Sequence, residues 1–207
     1  MRKELITSFS YNFDDNSSEK AIFMLTTSAL DSAIEIVHSL KSQSHRITAH
    51  LLRTIDESID LGTFFNSRSE RSGKQLEKWY NDEIISHSEY RNYVKSKYGE
   101  EEFENEKQKY RTISKFSHNT YKTLLYSYIK RSDLKIVHES LYDSDILIPV
   151  QTIAMYHAIS GIYFEKIAFK MVEFRLIEID KLLKIMRDSE EENTVERKFV
   201  LRKKILK

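Results

Sequence analysis

The stretch Ile47-Thr48-Ala49-His50-Leu51-Leu52-Arg53-Thr54-Ile55-Asp56-Glu57-Ser58-Ile59 decides the fold class. Ile47, Leu51, Leu52, Ile55 and Ile59 follow the spacing of one helix face rather than the alternation of a strand. Polar residues fill the other positions, so the helix has one face for a core and one for water. The pattern fades near Gly62. Upstream, Asn16 followed by Glu19 reads as a capping box, with Asn16 capping and Glu19 reaching back. It opens a helix through Ala21, Leu25, Leu30, Ile34, Val37 and Leu40. The polar residues Lys41 to His45 form a break between the two.

Downstream, residues 66–100 are polar and uneven, with Gly73 and Gly99 as expected breaks. Leu76, Trp79 and Tyr80 anchor one short helix there, and Tyr90, Val94 and Tyr98, four apart, mark another. This segment reads as an irregular, mobile insert. A longer helix is expected from about Glu101 to Ile129, with a core stripe of Phe103, Tyr110, Ile113, Ser117, Thr120, Leu124 and Tyr128. Leu134 to Val137 reads as a loop or a short edge. Asp145 and Pro149 open a last long helix through Ile153, Ile159, Phe164, Phe169, Val172, Leu176, Ile179 and Leu183, ending near Asp188. The expected architecture is an all-α, up-and-down bundle of four to five main helices. It forms one domain over residues 1–188, containing the insert at 66–100, and a charged C-terminal tail over 189–207.

Composition supports that class and removes several functions. Four glycines and one proline in 207 residues are too few for the many sharp connections of a strand-and-turn fold. Lys and Arg (33) balance Asp and Glu (32), so no global field draws the chain to nucleic acid or anionic lipid. The absence of cysteine removes disulfides and thiolate zinc sites and fits a reducing compartment, so a cytoplasmic location is expected. The N-terminal Met1-Arg2-Lys3-Glu4-Leu5-Ile6-Thr7 lacks the apolar run of a signal peptide. From Ile146 to Phe164 no residue is charged, a length that matches a membrane span. Pro149, Gln151, His157, Ser160 and Gly161 interrupt the run, and it reads better as a buried core or interface helix. No membrane association is expected. A homodimer is, because that run needs cover on more than one side.

The chemistry-bearing stretch is Lys109-Tyr110-Arg111-Thr112-Ile113-Ser114-Lys115-Phe116-Ser117-His118-Asn119. On a helix, seven steps bring the Arg111 and His118 side chains to within about 20° of each other, on the shoulder of the core stripe. A guanidinium beside an imidazole is the minimum equipment for cleaving a phosphodiester. The same spacing recurs at Arg131 and His138, where helical periodicity is lost. Arg53 and Glu57 stand one turn apart on the earlier helix, and Ser114 and Asn119 add polar groups beside the histidine.

The Arg-x3-Glu on an early helix, the tryptophan-bearing insert and Ile113-Ser114-x-x-Ser117-His118 on a later helix together resemble the HEPN superfamily, over roughly residues 17–130. The resemblance implies an α-helical protein that binds RNA or cleaves it without a metal, in a prokaryotic defence or toxin–antitoxin type of system. His118 would take the acid–base role and Arg111 would hold the phosphate, with Arg53, Glu57, Ser114 and Asn119 in support. Two chains would face each other across a cleft. A non-catalytic helical protein–protein interaction module explains the same helices and stays open as the alternative.

Other candidates carry less. Glu35-Ile36-Val37-His38 has the ligand spacing of di-metal helical bundles, but no second Glu-x-x-His follows on another helix, so no metal and no cofactor is expected. In the tail, Arg197, Lys198, Arg202, Lys203 and Lys204 could contact RNA or an acidic partner. The interleaved Phe199, Val200, Leu201, Ile205 and Leu206 suit a docked terminal helix at least as well.

Overall fold

Two long helices carry the core of the computed structural model, which describes residues 2–41, 45–115, 128–130, 135–138 and 162–188. They are α2 (Ser18–Lys41) and α3 (His45–Phe65), preceded by a short α1 (Arg2–Ser8). Ala21, Ala29 and Ala33 on α2 are fully buried; their small side chains let α3 approach and bring Ile55, Ile59, Phe64 and Phe65 into the same cluster. α1 contributes Leu5 to this core and is tied to α2 by an Arg2–Asp31 ion pair. The fold is all-α, as the apolar periodicity requires. α2 is long and apolar enough by length and composition to cross a membrane, but its apolar face packs on α3.

Several local expectations are corrected. Ser17, not Asn16, caps α2: its Oγ accepts the Lys20 backbone N–H at 3.2 Å. Glu19 does not reach back; its carboxylate accepts from Arg68 at 2.6 Å, tying the end of α3 to the start of α2. Ile47 is exposed. α3 does not fade at Gly62 but continues to Phe65. Gly62 is there for space, since a Cβ would lie 3.3 Å from the Phe174 ring. Gly62→Val, adding two further methyls against that ring, is expected to lower stability by about 1–2 kcal/mol, whereas Gly62→Ala stays near neutral because the gain in helix propensity offsets the contact. Thermal denaturation of the two variants checks this.

Residues 66–100 hold the two short helices expected there. They are α4 (Glu70–Tyr80) and α5 (His87–Tyr98), and both build the core. Trp79 meets Phe65 edge-on at 5.9 Å, Tyr93 meets Phe64 at 5.8 Å, and Arg71 pairs with Glu89 across the two helices at 2.8 Å. Gly73 breaks nothing and sits inside α4, capped by Ser69. Gly99 does end α5, at φ 93°, where a side chain would be strained.

α6 (Glu100–Lys115) follows directly. The expected helix to Ile129 is overturned at its far end, because β1 (Tyr128–Lys130) pairs antiparallel with β2 (Ile136–His138), a short β-branched and aromatic hairpin. The last helix is not continuous either. α7 covers 162–173 and α8 covers 179–188. Between them Arg175 adopts φ 58°, and the Leu176 N–H reaches back to the Met171 carbonyl at 2.8 Å, a helix stop that usually uses glycine. The break changes which side faces inward. Leu176 and Leu182 are buried, whereas Ile179 and Leu183, expected in the core, are exposed; Phe169, also expected there, is exposed already on α7, whose buried face is Ile167, Ala168 and Met171. α7 is held to α3 by Lys166 and the buried Asp56 at 2.8 Å, and to α5 by Glu173, which receives Lys97.

Candidate functional site

The Glu57 carboxylate is the meeting point of three helices. On α3, Arg53 lies one turn before it and donates from Nε to Glu57 Oε1 at 2.6 Å, the local pairing that i,i+4 spacing favours. α6 brings Tyr110, whose hydroxyl donates to the same oxygen at 2.8 Å. α5 brings His87, with Nε2 at 3.3 Å. Tyr90, one turn along α5, closes the network at 2.8 Å from His87 Nδ1. The Tyr110 ring is covered by the Arg91 guanidinium at 3.5 Å from its centroid and flanked by Arg53 at 5.3 Å.

These surroundings shift the titration of His87 and Tyr90. Burial holds the Tyr90 phenol far above its ordinary range, so it stays protonated, and the imidazole tautomer sets which of Tyr90 Oη and His87 Nδ1 donates. His87 Nε2 lies 3.3 Å from Glu57 Oε1, a contact that becomes an ion pair when the imidazole is protonated. Burial also lowers the imidazole below its ordinary 6.5; the carboxylate of Glu57 pulls upward, while Arg91 and Arg53 add to the lowering. Between the lowered value and 6.5 the unfolded chain binds more protons at His87 than the folded one. Stability therefore rises with pH through that window and is lost as pH falls below 6.5. Urea denaturation of the native chain above and below pH 6.5 is expected to show this slope, and His87→Gln to reduce it. Tyr90 at Nδ1 and the Glu57 carboxylate beside Nε2 hold His87 within a network.

Glu57, His87 and Tyr90 also form one wall of an open cavity of about 1060 Å³. Its floor is apolar, with Leu25 from α2, Leu61 from α3 and Trp79 from α4. Tyr80 stands beside Trp79 and donates to the Ser17 carbonyl at 2.8 Å, with its phenol pushed up to about 12 by burial. No family model, curated protein or solved structure matches this chain. The residues themselves must carry the functional reading.

Of the expected site residues, Arg53 and Glu57 are brought together, and Ser114 lies one turn beyond Tyr110 on α6 with its hydroxyl oxygen buried. Arg111 is on α6, exposed, with no side-chain partner among the described residues. His118, Asn119, and Arg197, Lys198, Arg202, Lys203 and Lys204 of the tail lie outside the described residues, as does nearly all of the uncharged run Ile146–Phe164. No group of three metal-binding side chains occurs among the described residues, and Glu35 and His38 face outward on α2. Sequence reading missed His87, Tyr90 and Arg91. The signal present was His87 three positions before Tyr90 at the start of a helix; nothing in the sequence linked that pair to Glu57.

Proposed function

We propose that the chain is a HEPN-like, RNA-directed effector of a prokaryotic defence or toxin–antitoxin type of system, acting on RNA without a metal through Arg111 and His118. The observation that carries this reading is the setting of Arg111. Its neighbour Tyr110 is fastened to Glu57 and covered by Arg91, which holds α6 in place, while the Arg111 side chain itself is exposed and unpartnered among the described residues. A guanidinium on an anchored helix with its donors open is suited to bind a phosphate in its planar fork. His118 removes the proton of a ribose 2′-hydroxyl, the 2′-oxygen attacks phosphorus, and Arg111 offsets the charge of the phosphorane. The 5′-oxygen leaves with a proton, giving a 2′,3′-cyclic phosphate and a 5′-hydroxyl.

One histidine cannot be base and acid in the same step, so the proposal includes a homodimer that places two Arg111/His118 pairs on one phosphate. The test is cleavage of a mixed-sequence RNA in the presence of a metal chelator by the native chain, His118→Ala and Arg111→Ala, with light scattering of each. Cyclic phosphate ends made by a dimeric native chain are expected. A native chain without cleavage, or activity that survives both substitutions, overturns it. The second reading, a non-catalytic interaction module, is favoured by Phe13 and Ile84, two large apolar side chains standing 95% and 97% exposed at the cavity.

A further inference from the structure

The geometry points to the α2–α5 cavity as the docking site for a basic, apolar segment of a protein partner. This inference does not depend on Arg111 or His118. The cavity is open and of a size that accommodates several side chains. Its lips are two loops. The first, before α2, carries Phe13 and Asp14. The second follows α4, where Asp82 at φ 63° and the Glu83 N–H bonded back to the Lys78 carbonyl at 3.0 Å turn the chain outward and project Glu83 and Ile84. Isolated exposed apolar residues are ordinary, but two almost completely exposed ones lining one cavity with Leu25, Leu61 and Trp79 form a surface that a partner covers. A small ligand seated in the cavity would leave their outer faces in water. A peptide segment would not.

Charge names the partner. Asp14, Asp82 and Glu83 line the same cavity, and none has a side-chain partner among the described residues. Lys20 is the one lysine or arginine of the described lining, and it is already engaged: Nζ donates to the carbonyls of Asn12 at 3.1 Å and Phe13 at 2.6 Å. Its ammonium lies 5.5 Å from the Tyr80 ring centre and 5.9 Å from that of Phe13, so the aromatic lining already holds one cation of the kind it is inferred to receive. Three unpaired carboxylates repel a phosphate backbone and attract Lys or Arg, while the floor of Leu25, Leu61 and Trp79 accepts a neighbouring Leu or Phe.

Trp79 is the single tryptophan of the chain and lies in the floor, so its emission reports occupancy directly. The probe is a set of tryptophan-free hexapeptides carrying two Lys or Arg and two Leu or Phe in every arrangement. Titrated into the full-length protein, at least one is expected to change Trp79 emission saturably. Its counterpart with Glu in place of the basic residues is expected to do nothing. The variant Asp14→Asn/Asp82→Asn/Glu83→Gln, which alters only exposed side chains, is expected to weaken binding about tenfold or more, corresponding to about 1.4 kcal/mol or more. Rising salt should weaken it further. No saturable response from any peptide of the set, equal binding of the acidic counterpart, or undiminished binding by the triple variant overturns the inference. So does displacement of the peptide by single-stranded RNA, which would make the cavity part of an RNA path, or a Trp79 already shielded from a soluble quencher by dimerisation alone, which would make a second copy the occupant.

Discussion

His118→Ala is expected to reduce RNA cleavage by about a hundredfold or more, the usual scale for loss of a general acid–base group. Arg111→Ala should fall at least as far as the loss of one charge-stabilising donor allows, also about a hundredfold. Arg111→Lys should recover little, because a point-charge ammonium cannot reproduce the two parallel donors of the guanidinium. Because both histidines of the proposed dimer serve one phosphate, a mixed dimer of native and His118→Ala chains should be impaired nearly as far as the His118→Ala dimer. The measurement is single-turnover cleavage with the oligomeric state of each variant recorded alongside. A rate unaffected by either substitution leaves the interaction module as the account of the chain.

Glu57→Ala is expected to lower stability by about 2–3 kcal/mol. Arg53 and Tyr110 both donate to Oε1 of this one carboxylate and His87 lies 3.3 Å from it, so its removal deletes two hydrogen bonds and the negative charge among these groups. The partial exposure of the network lets water recover some of the loss, which keeps the figure below that of a fully buried charge. Glu57→Gln keeps an acceptor oxygen and should cost about 1 kcal/mol, the difference between charged and neutral hydrogen bonds. Either change also removes the one group that raises the His87 pKa, so the imidazole titration should move further down. Urea denaturation gives the first pair of values and NMR titration of His87 gives the second. Equal stability of Glu57→Ala and the native chain would mean that the three helices are held together elsewhere.

The all-α class, the two long helices and the Arg53–Glu57 pair were legible from the residues alone, because each rests on local periodicity. Apolar spacing on one helix face implies a buried stripe, and an i,i+4 Arg and Glu meet wherever that helix forms. The aromatic anchors of α4 and α5 were visible for the same reason. Their place in the core was not, since polar surfaces and an interior Gly73 look like breaks until the packing of Trp79 on Phe65 and Tyr93 on Phe64 is known. The stop after α7 was hidden because Arg175 occupies the left-handed position that glycine normally marks. Once the chain turns there, the inward side is reset, and Ile179 and Leu183 end in water, while Phe169, before the turn, lies opposite the buried face of Ile167, Ala168 and Met171. What only the tertiary structure decided is the company Glu57 keeps. Tyr110 stands 53 residues away along the chain, and it meets Glu57 because α6 packs across α3. His87 arrives on a third helix, and the acidic cavity exists only because two loops distant in sequence line one space together with residues of α2, α3 and α4. Local spacing encodes a face, but which faces meet depends on how all the helices share one core.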